Sequence, residues 1–217
     1  MSDFASLRTT MVDTQVRPSD VTSFPIIEAM LHVPREAFVP DSQRGAAYAG
    51  EALPLAPGRV IADPRVLAKM LEALDVGPDD LVLDIGAGLG YSSAVIARMA
   101  QAVVALEDDE GRSADAGAAL AEQGADNVVV ATGPLHEGAA QHGPYDAIIL
   151  QGAVEDLPQA IADQLKDGGK IAAIFIERTL GVCRVGHKSG GHISWRRSFD
   201  AAAPILPRFH KKAEFAL

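Results

Sequence analysis

Short apolar runs alternate with longer amphipathic segments over the second half of the chain, and this pattern predicts an ordered series of strands and helices. Strands are expected over residues 81–85, 102–106, 127–131, 147–150 and 170–176, and helices over residues 91–99, 109–123 and 157–165. Strands that alternate with helices pair in parallel, because each helix carries the chain back to the start of the next strand. The pattern therefore predicts a mostly parallel sheet with helices on both faces.

The two ends of the chain follow different patterns. Residues 2–74 read as helices and loops, with the best helices over 24–31 and 64–74, the second of which starts with a favourable proline. Residues 181–186 and 192–197 are short strand-like runs around a Lys-Ser-Gly-Gly turn. This arrangement predicts an antiparallel hairpin that closes the sheet.

Length and composition predict one domain with a substantial core, because the 217 residues are 48% hydrophobic. We expect a single domain over 1–217, with an N-terminal helical extension over 1–75 and a cofactor-binding core over 76–217. The formal net charge of -10 argues against nucleic acid as a partner, because a polyanion would be repelled. No signal-peptide pattern and no apolar run of about 20 residues is present, so a cytoplasmic location away from membranes is expected. The oligomeric state is left open.

Residues that often form metal sites do not have the spacing for one. His136 and His142 have no cysteine or third histidine at ligand spacing, so both are expected on a loop surface and no metal is expected. Cys183, the single cysteine, lies in an apolar run and is predicted to be a small buried side chain. The acidic residues 108–110 are expected to begin a helix and to face water.

A glycine-rich loop follows the first predicted strand and carries the strongest functional signal. It reads Gly86-Ala87-Gly88-Leu89-Gly90, and a predicted helix begins at Tyr91. Glycines let the backbone turn sharply and approach a ligand closely. Glu107 follows about 20 residues later, at the end of the next strand, where a carboxylate can accept hydrogen bonds from both ribose hydroxyls. The combination predicts a nucleoside-binding site.

The identity of the nucleoside depends on Asp84, which stands just before the glycines. A carboxylate at this strand end would repel the pyrophosphate of a dinucleotide. The same carboxylate could face the ammonium group of S-adenosylmethionine, or it could orient the loop. We therefore expect S-adenosylmethionine as the cofactor.

Several segments outside the glycine-rich loop carry a further pattern. They are Met-Val-Asp-Thr-Gln-Val-Arg at 11–17, Val-Pro-Arg-Glu-Ala-Phe-Val-Pro at 33–40, Ala47-Tyr48, Pro-Tyr-Asp-Ala-Ile-Ile at 144–149 and Leu-Lys-Asp-Gly-Gly at 165–169. These segments resemble those of the protein-L-isoaspartate O-methyltransferase family of S-adenosylmethionine-dependent enzymes. The resemblance covers most of the chain, and Pro-Arg-Glu-x-Phe-Val-Pro is its most specific motif.

The resemblance implies an α/β fold of the Rossmann-like methyltransferase class, a three-layer sandwich whose mostly parallel sheet ends in an antiparallel hairpin. It implies methyl transfer to the free carboxylate of isoaspartyl residues, so damaged proteins or peptides are the expected partners. A carboxylate is ionised at neutral pH, so no general base is needed. The cofactor residues that it implies are Asp84, Gly86, Ala87, Gly88, Gly90, Tyr91, Glu107, Gly133, Pro134 and Leu135.

The chain departs from the family pattern at several places, two of which concern the expected site. Residues 58–64 read Gly-Arg-Val-Ile-Ala-Asp-Pro, where the family normally reads Gly-Gln-Thr-Ile-Ser-Gln-Pro. Ala62 stands at the family's catalytic serine or threonine, so the hydroxyl thought to guide the acceptor carboxylate is absent. Asp63 adds a negative charge there. Thr132-Gly133-Pro134 stands where the family usually has Gly-Asp near the adenine.

The expected substrate-side residues are Tyr48, Arg59, Ile61 and Asp63. Arg59 could pair in a bidentate way with a substrate carboxylate, or simply with Asp63. Tyr48 could line the substrate pocket or be a core aromatic with its hydroxyl at the surface. Three hypotheses stay open: methylation of isoaspartyl residues; methylation of a different small-molecule or protein acceptor, which Ala62 favours; and a non-catalytic role as a cofactor-binding or interaction module.

Overall fold

The computed structural model describes residues 3–211, so residues 1, 2 and 212–217 of the expected domain lie outside the described part. The N-terminal part is mainly helical, as expected. Asp3 caps the first helix, because its carboxylate accepts a hydrogen bond from the Ser6 amide at 3.2 Å. The helical elements are α1 (Phe4–Met11), a π-helical turn (Val12–Val16), a 3-10 turn (Arg17–Ser19), α2 (Phe24–His32) and 3-10 turns at Arg35–Phe38 and Asp41–Ala46.

A short antiparallel hairpin interrupts this helical extension, with β1 (Leu53–Ala56) paired to β2 (Arg59–Ile61). The expectation of only helices and loops over residues 2–74 is wrong here. A two-stranded hairpin is marginal on its own in water. This one packs on the glycine-rich loop, where a Cβ atom built on Gly88 would lie 2.9 Å from Leu55 Cδ2. Contacts with a distant part of the chain therefore support strands that are too short to show a clear sequence pattern.

Helix α3 (Pro64–Leu74) has the predicted bounds and follows the hairpin directly. Asp63 caps its N-terminus, because the carboxylate accepts a hydrogen bond from the Arg65 amide at 2.7 Å. Asp75 ends the helix in a left-handed conformation, with φ of 52°. The buried side chains on its apolar face are Val66, Leu67, Ala68, Met70, Leu71 and Leu74. Burial of this face fixes the position of Ala62, just before the cap.

Seven strands form the central sheet, in the order β5-β4-β3-β6-β7-β8-β9. They are β3 (Leu81–Ile85), β4 (Ala102–Glu107), β5 (Val128–Thr132), β6 (Tyr145–Val154), β7 (Leu165–Glu177), β8 (Leu180–Ser189) and β9 (His192–Asp200). The pairs from β5 to β7 are parallel, whereas β7-β8 and β8-β9 are antiparallel. The predicted α/β sheet that ends in an antiparallel hairpin is confirmed.

Helices join the parallel strands and cover both faces of the sheet. They are α4 (Tyr91–Ala97), α5 (Glu110–Glu122) and α6 (Gln159–Gln164). The last is shorter than the expected 157–165, because it starts after Pro158 and Leu165 already pairs in the sheet. Neighbouring β6 residues Ile148 and Ile149 belong to different apolar clusters, one on each face of the sheet. No helix within residues 3–211 has both the length and the apolar content to cross a membrane.

The strand order reverses at β3, which has β4 on one side and β6 on the other. Open α/β sheets bind ligands in the crevice outside the carboxyl ends of the strands at such a point. Two segments cover this crevice: the β1–β2 hairpin and the chain that follows β9. The second segment runs along β6, with Leu206 N bonded to Ala153 O at 2.9 Å and Ala153 N bonded to Pro204 O at 2.8 Å.

Candidate functional site

The glycine-rich loop between β3 and α4 has the sharply turning backbone that its sequence predicts. Gly86, Gly88 and Gly90 have φ values of 79°, 62° and 95°, which residues with a side chain rarely adopt. The amide of Gly86 donates to Leu106 O at 2.8 Å and ties the loop to the end of β4. The loop therefore presents bare backbone to the crevice above the sheet.

Asp84 is fully buried at the end of β3, and its side-chain partners within residues 3–211 are uncharged. Its Oδ2 accepts hydrogen bonds from Ser92 Oγ at 2.5 Å and Ser93 Oγ at 2.6 Å, and its Oδ1 accepts one from Gln151 Nε2 at 2.8 Å. Burial raises the pKa of Asp84, and these hydrogen bonds act in the opposite direction. The contacts join the start of α4 to β6, so they favour the alternative in which Asp84 orients the loop.

Glu107 is equally buried at the end of β4, but it bonds to charged groups. Its Oε2 accepts from Gly88 N at 2.9 Å and Arg59 Nη2 at 2.6 Å, and its Oε1 accepts from Arg59 Nη1 at 2.9 Å and Arg112 Nε at 2.8 Å. Burial alone would raise the pKa of Glu107, but the hydrogen bonds and charge of Arg59, with those of Arg112, lower it to about 2. Glu107 is therefore an ionised acceptor beside the glycine-rich loop.

Arg59 reaches this carboxylate from β2, and its side chain is only 3% exposed. Its Nη1 also donates to Asp108 Oδ1 at 2.7 Å. Its buried Nε has no hydrogen-bond partner among residues 3–211. The alternative in which Arg59 pairs simply with Asp63 is wrong, because the Asp63 carboxylate caps α3 and Arg59 pairs with Glu107 and Asp108.

Ala62 lines a small cavity beside the glycine-rich loop, and a buried arginine holds its backbone. Arg35 Nη2 donates to Ala62 O at 2.8 Å, and Arg35 Nε donates to Ala47 O at 2.7 Å. The same guanidinium lies 4.7 Å from the centre of the Tyr91 ring. The cavity volume is about 20 Å³, roughly the room that one water needs. The other lining residues include Ile61, Gly86, Ala87, Gly88 and Gln151.

Gly133, Pro134 and Leu135 follow β5 and lie next to Glu107. The Gly133 amide donates to the Glu107 carbonyl at 2.9 Å. Leu135 is buried, and Pro134 has neither a backbone N–H nor a polar side chain. The segment expected to meet the adenine therefore adjoins the expected ribose acceptor and offers mainly apolar contacts.

Tyr48 is not among the residues that line this cavity. Its hydroxyl donates to Glu36 and accepts a hydrogen bond from Arg8 Nε at 3.0 Å. Burial and the hydrogen bond to Glu36 raise the pKa of Tyr48. These contacts favour the alternative in which Tyr48 is a core aromatic of the helical extension.

Comparison with known proteins identifies the family of this chain. A family model for protein-L-isoaspartate(D-aspartate) O-methyltransferase matches residues 8–198. The chain belongs to this family. A relative named protein-L-isoaspartate O-methyltransferase from Methylorubrum extorquens (strain PA1) is 41% identical over 169 residues, which cover 78% of this chain and 74% of the relative. One of the same name from Koribacter versatilis (strain Ellin345) is 35% identical over 193 residues, 89% of this chain and 87% of the relative. The resemblance seen in the sequence is confirmed, and the chain is a methyltransferase by this membership.

Solved methyltransferase structures share the fold. A protein-L-isoaspartate O-methyltransferase structure superimposes with a TM-score of 0.78 at 22% identity, over 93% of this chain and 65% of that longer chain. A Plasmodium falciparum protein assigned to the same class, solved with S-adenosyl-L-homocysteine, gives a TM-score of 0.80 at 20% identity, over 96% of this chain and all of that one. The Rossmann-like methyltransferase fold is confirmed.

The polar residues of the site that were not predicted from the sequence include Arg35, Asp108, Arg112 and Gln151. Asp108 was expected to face water at a helix start, but it binds Arg59 instead. The spacing of Asp108 and Arg112, four residues apart on one helix end, is a signal for an ion pair that could have been used. Arg35 lies in the Pro-Arg-Glu-x-Phe-Val-Pro motif, but no local pattern places it or Gln151 at the site, because each acts on a part of the chain that is distant in sequence.

Proposed function

We propose that this protein transfers a methyl group from S-adenosylmethionine to the free carboxylate of isoaspartyl residues in proteins or peptides. The observation that carries the proposal is the ionised carboxylate of Glu107, whose Oε2 lies 2.9 Å from the Gly88 amide of the glycine-rich loop. Family membership supports the reaction class, and the names of the relatives support the acceptor.

The residues present fit the cofactor. Glu107 would offer its oxygens to the ribose hydroxyls, and its low pKa keeps it an acceptor over the physiological range. Gly86 and Gly88 leave the loop without side chains where the ligand must approach. Pro134 and Leu135 offer apolar contacts for the adenine. Asp84 contributes indirectly, by fixing the loop and the start of the following helix.

S-adenosylmethionine supplies a methyl group that is already activated by its sulfonium. The acceptor carboxylate is ionised at neutral pH, so the chain needs no general base. The remaining task of the protein is to orient the acceptor and to exclude water. We assign this task to Ile61 and Ala62, which line the cavity, and to Arg35, which holds the Ala62 backbone and adds a buried positive charge beside an anionic acceptor.

A different methyl acceptor is the second candidate. Ala62 has no hydroxyl to donate a hydrogen bond, and it occupies the position where the resemblance implies a serine or threonine. A small molecule or another protein group that brings its own orienting contacts would not need that donor. The cofactor and Glu107 would have the same roles in this case.

Calorimetric titration with S-adenosylmethionine and S-adenosylhomocysteine, followed by a methyl-release assay on an isoaspartyl peptide, tests the proposal. We expect binding of both and slow methylation, with an otherwise identical aspartyl peptide as the unlabelled control. Ala62→Ser should raise the rate by about 10²-fold, because one well-placed donor in a transition state has roughly this effect. Binding without labelling by either protein would select a different acceptor or a non-catalytic role. Absence of binding would refute the proposal.

The proposed setting is the cytoplasm, with neither nucleic acid nor a membrane as partner. The net charge of -10 supports the exclusion of nucleic acid, because the surface would repel phosphates. Within residues 3–211, no three or more His, Cys, Asp or Glu side chains are grouped to hold a metal ion. The proposed reaction requires none.

A further inference from the structure

Arg59 and Glu107 form the most deeply buried ion pair within residues 3–211, with side chains 3% and 1% exposed. The guanidinium donates one hydrogen bond to each carboxylate oxygen, at 2.9 and 2.6 Å. These are the same two oxygens that the proposed function assigns to the two ribose hydroxyls. A fork of two N–H donors thus occupies the acceptors that a pair of O–H donors requires.

The guanidinium also lies where the ribose is expected. A Cβ atom built on Gly86 would lie 3.2 Å from Arg59 Nη2, so the guanidinium rests against the glycine-rich loop. Glu107 Oε2 is shared between Arg59 and the Gly88 amide. The group therefore fills the space between the loop and the end of β4, which is the ribose position in sheets of this kind.

Neighbouring side chains complete the closure of the crevice. A Cβ atom built on Gly88 would lie 2.9 Å from Leu55 Cδ2, and one built on Gly152 would lie 2.6 Å from Leu206 Cδ2. The cavity that is left has a volume of about 20 Å³, which holds a single water and no nucleoside. Leu55 belongs to the same hairpin as Arg59, so movement of this hairpin would remove both groups together.

We propose that Arg59 is an internal occupant of the ribose subsite, and that the cofactor binds only by displacing its guanidinium from Glu107. This inference rests on the proposed function, because it takes Glu107 as the ribose acceptor. It makes the closed arrangement a self-inhibited state of the methyltransferase.

The closed state is suited to such an exchange. Glu107 keeps the Gly88 amide and Arg112 as hydrogen-bond donors when the guanidinium leaves, and the ribose hydroxyls replace the two donors that it loses. Arg59 Nε has no partner among residues 3–211, so the closed state leaves one buried donor unsatisfied. Asp108, whose side chain is 25% exposed, already bonds to Arg59 at the rim. The guanidinium can therefore leave Glu107 and keep Asp108 as its partner.

Titration of the full chain with S-adenosylhomocysteine tests the proposal, with wild type compared to Arg59→Gln, Arg59→Lys and Arg112→Gln. Arg59→Gln removes the occupant and should lower Kd at least tenfold. Arg112→Gln is the matched control, because Arg112 also donates to Glu107, but from α5 and without resting on the glycine-rich loop. It should not tighten binding. Arg59→Lys keeps the charge without the two-pronged contact and should give an intermediate Kd.

The outcomes distinguish failure of the internal occupant from failure of the cofactor assignment. If wild type binds and Arg59→Gln binds equally or more weakly, the proposed function stands and the internal occupant is refuted. If Arg112→Gln tightens binding as much as Arg59→Gln, the effect is one of charge and the occupant is again refuted. If no variant binds, the cofactor assignment fails and this inference fails with it. Should Arg59→Gln lack a cooperative thermal transition by circular dichroism, Arg59→Lys decides, and an unchanged or higher Kd refutes the proposal.

Discussion

Asp84 and Glu107 end neighbouring parallel strands and are both fully buried, yet their surroundings move their pKa values in opposite directions. Asp84 accepts hydrogen bonds from two serine hydroxyls and an amide, and burial raises its pKa. Glu107 accepts hydrogen bonds from two guanidinium groups and two backbone amides, and its pKa falls to about 2. Equal burial thus produces opposite shifts, because the charge of the partners decides the direction.

The difference separates a carboxylate that joins elements of the core from one whose main partner lies outside the central sheet. The partners of Asp84 come from α4 and β6, which pack around it permanently, so its hydrogen bonds tie two elements of the core together. Arg59, the main partner of Glu107, comes from a two-stranded hairpin outside the sheet. The proposed exchange of Arg59 for ribose therefore involves Glu107 and leaves the contacts of Asp84 in place.

Neutralising Glu107 should have the largest effect on stability. Glu107→Gln keeps the size of the side chain but leaves Arg59, which is 3% exposed, against an uncharged amide. Removal of one member of a buried ion pair typically lowers the free energy of unfolding by about 3 to 5 kcal/mol. Urea unfolding followed by circular dichroism measures this loss. A loss under about 1 kcal/mol would contradict the role of the pair.

A double variant tests whether the unpaired guanidinium of Arg59 causes the loss of stability in Glu107→Gln. Arg59→Gln combined with Glu107→Gln removes both charges, so we expect it to be more stable than Glu107→Gln alone. If the double variant were the less stable of the two, lost packing of the Arg59 side chain would explain the effect better than an unpaired charge.

Lowering the pH should also reduce the stabilising contribution of Glu107, but by less than the loss expected for Glu107→Gln. The folded-state pKa of Glu107, about 2, lies below its ordinary value of 4.5. Its stabilising contribution is therefore fully present above pH 4.5 and is lost as the pH falls towards 2. We expect the stability difference between wild type and Glu107→Gln to narrow by on the order of 2 kcal/mol over this window, as measured by urea unfolding at each pH. A constant difference would count against the shift.

Local patterns predicted the sheet and the side of the site that it carries. Strand β3 and helix α3 have the expected bounds, because an apolar run in one and a capped amphipathic segment in the other are complete within a few residues. The glycine-rich loop and Glu107 follow from the same strands, because parallel strands place their carboxyl ends at one edge. What depends on consecutive residues was therefore readable from the sequence.

The hairpin side of the site depends on contacts that no local pattern contains. Arg59 lies 48 residues before Glu107, whereas Asp63 is a near neighbour in the chain and was one of its two expected partners. In the folded protein Arg59 pairs with Glu107, whereas the Asp63 carboxylate accepts the hydrogen bond that caps α3. The strands of the hairpin are three and four residues long, too short to show an alternating pattern.

Asp84→Asn should have the smallest effect, with a free energy of unfolding within about 1 kcal/mol of that of wild type. In Asp84→Asn the remaining oxygen can accept the hydrogen bonds from Ser92 and Ser93, and the Gln151 amide can rotate to accept from the new N–H group. The pKa of Asp84 is raised above 3.8, so the folded state takes up this proton before the unfolded chain does. Acid should therefore stabilise wild type relative to Asp84→Asn, the reverse of the trend for Glu107→Gln. The same urea series measures both variants, and a loss for Asp84→Asn as large as that for Glu107→Gln would show that charge matters equally at the two strand ends.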